Sequence, residues 1–403
     1  MQSSSYKYDI IIVGLQPWDI PLGSNCVDIA KVLSSFCRVL YINRATDFRT
    51  ELQRLFRIRN IINFSSSKKK YNLTEVQNNI WVLETGIVLA SINLLKGKLY
   101  QYILKRNNKK FALIIKKAIR TLSFSDFLIF NDNDFFQAQY LKEELAPRLY
   151  IYYLRDYLIE QPYFMRNGKM MEQSLMTKAD FVFTNSMFLK NYAAQYNKSS
   201  MYVGQGTNLK LDTIQQTYQK PHEFSEIRTP VIGYVGNLTT LRLDLVLLEE
   251  VVAKRKDLTW LFVGPLDLNF EKSKLRQYDH VKFIGPKPQD AIAQYIKHFN
   301  VCINPQLLNK TTIGNYPRKV DEYMFFGKPI VARKTDFIEE LGDLIYSYDH
   351  VDDFLAQLEL ALAEQETSEK QVKRINIART HTWENSVNKM FDFMGLSTKL
   401  TEV

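Results

Sequence analysis

Residues 315–331 read NYPRKVDEYMFFGKPIV, and this stretch predicts a loop, a short helix and a buried strand in quick succession. Pro317 suits the first turn of a helix, and Gly327 suits the left-handed residue that ends one. Pro329 then begins a strand that continues through Val331. Because a helix N-terminus carries free N–H groups and a partial positive charge, a phosphate group fits at the start of this helix.

Charged side chains surround that helix N-terminus. Arg318 and Lys319 open the helix, and Glu322 lies one turn further along, on the face that Lys319 occupies. A carboxylate in this position accepts hydrogen bonds from two hydroxyl groups. The alternative is a capped helix with a solvated charged face, and these residues alone leave both interpretations open.

The pattern P-x-K-x-x-E-Y-x-x-x-G-K-P-I-V resembles the nucleotide-sugar motif of group 1 glycosyltransferases of the GT-B fold. In that family the glutamate of the motif binds the ribose of the donor nucleotide, which implies this role for Glu322. Many retaining members have a second glutamate eight positions earlier, where this chain has Gly314, so the anomeric outcome stays open. The placement of Pro317 and Lys319 resembles a branch that includes bacterial exopolysaccharide and teichuronic-acid-type transferases.

Length and composition indicate a globular protein. The 403 residues suit two or three domains, with 46% hydrophobic and 24% charged residues. Three cysteines without metal-binding spacing favour reduced thiols in a cytoplasm. No signal peptide is expected, because a strand pattern begins at Tyr8, and the apolar stretch 80–95 is too short and too polar to span a bilayer.

The net charge of +10 is concentrated in the first half of the chain. Residues 1–210 contain 29 Lys and Arg against 16 Asp and Glu, whereas residues 211–403 contain 24 against 27. Between Lys96 and Arg120 there is no acidic residue, and apolar side chains alternate with the basic ones. This pattern predicts one or two basic amphipathic helices, which suit an anionic membrane surface. A solvated helix packed on a sheet explains it equally well, and nucleic acid is disfavoured because no recognised binding module accompanies the charge.

Alternating strand and helix patterns predict an α/β fold. Residues 8–43 have the strand, helix, strand order that opens a doubly wound parallel sheet. We expect a first domain at residues 1–210, a second at 211–383, and a C-terminal helix at 384–403 that packs back on the first. The resemblance implies a GT-B fold, with two Rossmann-like domains facing a cleft, the acceptor on the first and the nucleotide sugar on the second.

The loop after the first strand is a candidate ligand site. It contains Trp18, Gly23 and Ser24 at the carboxyl end of the strand, where open α/β sheets bind their ligands. Gly23 and Ser24 immediately precede a predicted helix, so they are placed to approach a phosphate. An ordinary turn is the alternative for this glycine.

A second candidate in this domain is Asp156, which follows a buried strand. In similar transferases a side chain here serves as acceptor base or contacts the transferred sugar, which implies a general-base role for Asp156. A salt bridge with a neighbouring arginine is the alternative. Asp132 and Asp134 precede a helix predicted over residues 135–145, and its N-terminal dipole explains them without a metal.

In the second domain, Gly236 ends a predicted strand. Relatives have Arg and Lys after this glycine, both binding the diphosphate, where this chain has Asn237 and Arg242. Arg242 supplies a guanidinium suited to bidentate phosphate contact. Relatives also bind the base through backbone atoms at the turn that contains Gly285. The predicted donor site is completed by Tyr316, Arg318, Lys319 and Glu322.

The resemblance, together with these patterns, implies a hexosyltransferase-type enzyme. We expect it to transfer a sugar from a UDP- or GDP-type donor to a saccharide or lipid-linked saccharide acceptor in bacterial surface polysaccharide synthesis. No metal or other cofactor is expected, because helix N–H groups and basic side chains stabilise the leaving diphosphate. The expected location is the cytoplasm, at the inner face of the cell membrane, with no nucleic-acid partner. A non-catalytic or epimerase-like GT-B relative and a basic membrane-surface binding protein are the alternatives.

Overall fold

The computed structural model describes residues 6–20, 23–48, 70–161, 163–207, 218–225, 227–309, 312–314, 316–365 and 368–398. They form two units, the first running to Gly204 and resuming at Ser386, and the second running from Gln205 to Asn385. The division expected after residue 210 falls within 208–217, outside the described residues. The final residues of the expected C-terminal helix, 399–403, also lie outside them.

The first unit alternates strands and helices. Its elements in chain order are β1 (Tyr8–Gly14), α1 (Asn25–Leu33), β2 (Cys37–Asn43), β3 (Thr46–Asp47), β4 (Asn72–Gln77), β5 (Ile80–Glu84), β6 (Val88–Leu89), α2 (Gly97–Leu122), β7 (Leu128–Asp132), α3 (Leu141–Leu145), β8 (Leu149–Leu154), α4 (Gly168–Lys178), β9 (Phe181–Thr184), α5 (Met187–Ala194) and β10 (Ser200–Tyr202).

Eight of these strands form one sheet in the order β10-β9-β8-β7-β1-β2-β5-β4, and β3 pairs with β6 separately. All neighbours in the large sheet are parallel except β4 and β5. On one side of β1 lie β2, β5 and β4, which come next in the chain. On the other side lie β7 to β10, which come later. Ligands of such sheets bind where the strand order reverses, at the carboxyl ends of the strands. This point lies between β1 and β7.

Helix α2 is a single long helix whose inner face belongs to the core of the first unit. Tyr100, Leu104, Phe111 and Ile115 recur at helical spacing and are buried. The basic amphipathic pattern is therefore confirmed as one helix rather than two.

The helix predicted over residues 135–145 is wrong in its first half, because α3 begins only at Leu141. Over residues 135–140, which precede α3, side chains bind the backbone instead. The Asp134 carboxylate accepts from the N–H groups of Phe136 and Gln137, at 3.0 and 2.8 Å. Asn108 of α2 accepts from the Tyr140 N–H at 3.0 Å. These contacts give the backbone partners other than those of a regular helix.

The second unit also alternates strands and helices. Its elements are β11 (Val231–Val235), α6 (Leu245–Lys254), β12 (Thr259–Val263), α7 (Leu268–Glu271), β13 (Val281–Gly285), α8 (Ile292–His298), β14 (Val301–Asn304), α9 (Arg318–Phe325), β15 (Ile330–Arg333), α10 (Asp336–Glu340), β16 (Tyr346–Tyr348), α11 (Val351–Leu362) and α12 (Glu369–Thr380), and α13 (Trp383–Phe393) follows.

The second sheet is parallel throughout, in the order β13-β12-β11-β14-β15-β16, and its strand order reverses between β11 and β14. The α/β class with doubly wound parallel sheets is therefore confirmed. Gly327, just beyond α9, has a φ of 68°, as expected of the left-handed residue that ends a helix. The loop, helix and strand expected within 315–331 are present, apart from Asn315, which lies outside the described residues.

Helix α13 supplies aromatic side chains to the first unit. The Phe391 ring lies 5.8 Å from Tyr8 and 5.1 Å from Phe36, centroid to centroid. Phe393 contacts Phe181 and Phe183 in the same way. The C-terminal helix therefore packs on the first unit, as the resemblance implied.

The three cysteines are buried free thiols. Burial raises the pKa of each thiol, Cys26, Cys37 and Cys302, so all three are neutral at physiological pH and poorly nucleophilic. Among the described residues, no helix has both the length and the apolar composition needed to cross a bilayer.

Candidate functional site

Three glycines lie at the carboxyl edge of the second sheet, starting with Gly236 beside its reversal point. Gly236, Gly264 and Gly285 stand at the carboxyl ends of adjacent strands, where the Gly236 N–H donates to Val263 and the Gly264 N–H donates to Gly285, both at 2.9 Å. Gly264 has a φ of 147°, and a Cβ there would collide with the Gly236 carbonyl. A Cβ at Gly285 would meet no atom within 4 Å. At Gly285 this edge therefore presents open backbone that a ligand can approach closely.

Helix α9 places a carboxylate and two cations close to Gly236. Glu322 is only 7% exposed, and one of its oxygens accepts from Lys319 Nζ at 3.0 Å. Its other oxygen lies 3.7 Å from Arg318 Nε. The Lys319 Cε lies 3.3 Å from the position of a Cβ on Gly236. The structure therefore brings together four residues that the sequence assigned to the donor site.

A buried tyrosine fixes α9 against the end of β11. The Val235 N–H donates to the Tyr323 hydroxyl at 3.0 Å. Burial raises the pKa of Tyr323 far above its usual value, so its phenol is neutral. This hydrogen bond holds Glu322, the preceding residue, at the same edge as Gly236.

Arg242 lies near the same edge on the loop after β11. Its side chain is exposed, and its carbonyl accepts from the Leu307 N–H at 2.8 Å, which ties this loop to the one after β14. Burial raises the pKa of Tyr234, and the nearby Arg242 charge opposes that rise while the Glu322 charge adds to it. Both charges therefore act on the same tyrosine hydroxyl.

Tyr316, two residues before the start of α9, is buried. Its ring lies 4.3 Å from that of Phe337, and its hydroxyl lies 3.2 Å from Nδ1 of His381. The same nitrogen lies 2.8 Å from Asp321 Oδ1. Burial raises the pKa of Asp321, and the His381 hydrogen bond opposes that rise. Tyr316 therefore supports α9 through a polar cluster, and a direct contact with the nucleotide stays a prediction.

In the first unit, a buried ion pair occupies the reversal point between β1 and β7. The Asp132 carboxylate accepts from Arg155 Nε at 2.6 Å and from the Leu15 N–H at 3.3 Å. Asp132 is fully buried, and these bonds connect the ends of three strands. Burial lowers the pKa of Arg155, but the carboxylates of Asp132 and Asp156 outweigh this effect and raise it. Arg155 therefore remains charged.

Asp156 is held in a defined orientation by the same arginine. Its Oδ2 accepts from Arg155 Nη1 at 2.6 Å, and its N–H donates to Asn133 Oδ1 at 2.9 Å. The salt bridge considered as an alternative is therefore present. Its side chain is still 24% exposed, so the carboxylate is accessible to a substrate. The general-base role stays a prediction.

The loop after β1 reaches the same edge. The Trp18 N–H donates to Asn43 Oδ1 at 2.9 Å. Gly23 has a φ of 71°, which permits the turn into α1. Ser24, at the N-cap position of α1, is 3% exposed, and its Oγ has no hydrogen-bond partner among the described residues. Burial raises the pKa of Cys26, the Asp132 charge adds to that rise and the Arg155 charge opposes it, so the first turn of α1 lies close to that ion pair.

Sequence reasoning missed three residues at these two edges. Arg155 was considered only as a neighbouring arginine that could pair with Asp156, and Asp321 and His381 were not singled out. An arginine directly before the candidate Asp156 was the available signal for the first. Asp321 and His381 are 60 positions apart, and nothing in either local pattern links them.

The two edges suit different chemistry. In the second unit, Lys319, Arg318 and Arg242 provide positive charge and Glu322 provides hydroxyl acceptors, a combination suited to a nucleoside diphosphate. In the first unit, an oriented carboxylate is accessible to an acceptor. Within the described residues, no cluster of three or more His, Cys, Asp or Glu side chains suits a metal ion.

Comparison of sequences finds a family match within the second unit. Residues 229–364 match the model of the group 1 glycosyl transferases. TuaH of Bacillus subtilis (strain 168), assigned as a teichuronic acid biosynthesis glycosyltransferase, is 26% identical over 172 residues. That match spans 41% of this chain and 43% of the length of TuaH.

Solved structures match almost the whole chain. Sucrose-phosphate synthase from Thermosynechococcus elongatus has a TM-score of 0.67 at 15% identity, covering 96% of this chain and 98% of that one. Anabaena HepE in complex with UDP and glucose has a TM-score of 0.63 at 16% identity, covering 96% and 99%. An E. coli trehalose-6-phosphate protein bound to UDP-2-fluoro glucose has a TM-score of 0.66 at 12% identity, with the same coverage. These likenesses show the GT-B fold.

Proposed function

We propose that this chain, whose residues 229–364 are a group 1 glycosyl transferase domain on a GT-B fold, transfers a sugar from a UDP- or GDP-type donor. The observation that carries the proposal is the arrangement of Glu322, Lys319 and Arg318 beside Gly236, at the carboxyl edge of the second sheet. The acceptor is a saccharide or a lipid-linked saccharide in bacterial surface polysaccharide synthesis. The similarity to TuaH supports this finer assignment.

The donor contacts follow from the charges of the second unit. Glu322 accepts from the ribose hydroxyls, and Lys319 and Arg242 bind the diphosphate. Negative charge grows on that diphosphate as the glycosidic bond breaks. Fixed cations and the N–H groups at the start of α9 stabilise it in the transition state, and we propose that they do so without a metal ion.

The acceptor chemistry is assigned to the first unit. Asp156 takes the proton from the acceptor hydroxyl as that oxygen attacks the anomeric carbon of the donor sugar. Arg155 holds the carboxylate in place through the 2.6 Å contact. We assign the enzyme to the cytoplasm, at the inner face of the cell membrane, where a lipid-linked acceptor is accessible.

Replacing Asp156 with Asn tests whether its carboxylate is the general base. We expect the rate of transfer to fall by about 100- to 10,000-fold, the usual contribution of a general base, with donor affinity nearly unchanged. The assay supplies labelled UDP- and GDP-sugars with free oligosaccharides or a bacterial lipid extract, and follows the label into product. Asp126→Asn is the matched control, because Asp126 is an exposed aspartate of the same unit that also pairs with an arginine.

Equal transfer rates for wild type and Asp156→Asn would contradict the role of this residue. Donor consumption without any acceptor would favour the epimerase-like alternative. The glycine at position 314 and the asparagine at 237 favour a non-catalytic relative as the second candidate, since both replace charged residues found in the family. That candidate predicts no response to any nucleotide sugar.

A further inference from the structure

Helix α2 carries positive charge that no carboxylate among the described residues pairs with. Residues 85–125 include nine Lys or Arg and no Asp or Glu. None of these nine forms a salt bridge within the described part of the chain. By contrast, other basic residues of the same unit each contact a carboxylate, namely Arg38, Arg44, Lys142 and Arg155. The charge of α2 is therefore available to an outside partner.

Large apolar side chains are exposed among these cations. Leu99, Tyr102 and Leu113 lie on the outer face of α2, and the Tyr102 side chain is 66% exposed. The inner face of the helix already has its own buried row of apolar residues. A helix that faces only water on its outer side has polar residues there. The outer face therefore combines positive charge with apolar side chains.

A second segment continues this surface. Residues 163–170 expose Tyr163, Met165 and Met170, and they contain two basic residues and no acidic one. Arg166 Nη1 donates to the carbonyl of Asn93 at 3.3 Å, just before α2. The neighbouring Leu94 is 77% exposed. Residues 93–122 and 163–170 thus form one surface, called here the basic rim.

The basic rim begins at the ligand-binding edge of the first unit. Residues 93–96 come after β5 and the short strand β6, and residues 163–170 come after β8 and Asp156. Because β5 and β8 run in the same direction in the large sheet, the chain leaves both strands at the edge where Asp156 lies. A partner bound to the start of the rim would therefore lie on the side of the first unit that carries the proposed acceptor base.

We propose that the basic rim binds an anionic lipid bilayer, with Leu94, Tyr163 and Met165 entering the interfacial region and the α2 cations contacting lipid phosphates. The sequence assigned only residues 96–120 to such a surface, and the structure adds residues 93–94 and the 163–170 segment. The proposal rests on the proposed function for one point, the delivery of a lipid-linked acceptor to Asp156. Each Lys or Arg near an anionic surface adds to the binding, and apolar insertion strengthens it further.

The apolar residues favour lipid over nucleic acid. A nucleic-acid surface needs basic residues for phosphates, and its aromatic residues stack on bases within a recognised module. Here aliphatic Leu94 and Met165 project beside the cations with no such module. An amphipathic interfacial surface has this combination of long apolar and basic side chains.

The test is co-sedimentation of the full chain with vesicles of phosphatidylcholine, with or without phosphatidylglycerol. We expect binding to the anionic vesicles only, and weaker binding as salt is raised. Lys105→Glu combined with Lys109→Glu should weaken binding on the order of 100- to 1,000-fold, since it changes four units of charge. Leu94→Ser combined with Met165→Ser should weaken it roughly tenfold while keeping the salt dependence.

Matched controls come from the second unit. Lys256→Glu with Lys272→Glu makes the same charge change, and Leu360→Ser with Val372→Ser removes the same kind of exposed apolar side chain. Neither should alter binding. All variants should keep the wild-type thermal response to UDP and GDP, which separates this proposal from the proposed function. Failure of the wild type to bind anionic vesicles, equal binding after charge reversal, or a preference for RNA oligonucleotides over vesicles would overturn it.

Discussion

Replacing Glu322 with Gln should weaken the binding of UDP or GDP, whichever the wild type prefers, by roughly 30- to 150-fold. A neutral amide in place of the carboxylate loses the charge-assisted part of two hydroxyl hydrogen bonds, about 2–3 kcal/mol in total. The substitution also releases Lys319, whose Nζ now lies 3.0 Å from the carboxylate. Isothermal titration of wild type and variant with each nucleotide measures the effect.

Glu339→Gln is the control for this substitution, because Glu339 is a glutamate of the same unit that also pairs with a lysine, Lys334. Its nucleotide affinity should equal that of the wild type. Unchanged affinity in Glu322→Gln would mean that the carboxylate only neutralises Lys319 and Arg318. The interpretation as a capped helix with a charged face would then be the correct one.

Replacing Arg374 with Met should lower the free energy of unfolding of the second unit by about 3 kcal/mol, because it leaves a buried carboxylate without its cation. Arg374 is fully buried in α12 and forms two bonds to Glu364, at 2.7 and 2.6 Å. It also donates to the Leu344 carbonyl at 2.7 Å and to the Gly327 carbonyl at 3.4 Å. Urea denaturation followed by tryptophan fluorescence measures the loss.

The pH dependence of this loss has a definite sign. Burial pushes the pKa of Glu364 up, but hydrogen bonds from Arg374 and Ser368 outweigh it and hold the pKa below its usual value. This depressed pKa contributes stability at pH values above the pKa that Glu364 has in the unfolded chain. The contribution is lost as the pH falls through the pKa of Glu364 in the folded protein. The difference between wild type and Arg374→Met should therefore shrink at acidic pH.

Two further variants separate charge from packing. Arg379→Met changes an exposed arginine of the same helix and should have almost no effect. Arg374→Met combined with Glu364→Leu removes both buried charges and should recover much of the lost stability. A double variant as unstable as Arg374→Met alone would show that the backbone contacts of Arg374, rather than the ion pair, hold α12 in place.

The parts of the fold that depend on local sequence were predictable. In α9 and its flanks, Pro317 and Gly327 act through their own backbone preferences, and the structure has the expected helix end at Gly327. Alternating strands and helices likewise predicted doubly wound parallel sheets. These features depend on residues that are close together in the chain, so a single sequence contains the necessary information.

Features that depend on distant residues were not predictable. The segment 135–140 is not helical because Asn108, about 30 positions away, binds its backbone. The contact of Gly264 with the carbonyl of Gly236 depends on how two strands are paired. Likewise, the family motif identified Glu322 and helical spacing placed Lys319 on the same face, but only the structure shows Gly236 close to Lys319.

The central claim is that the second unit binds a nucleoside diphosphate at the α9 edge, and thermal unfolding of the wild-type chain with UDP, GDP, CMP and dTDP tests it most directly. We predict that one nucleoside diphosphate raises the unfolding temperature clearly more than the others, since a ligand stabilises the state that binds it. The same nucleotide should give a much smaller shift in Glu322→Gln. The absence of a shift with all four nucleotides would contradict the claim and favour a non-catalytic relative.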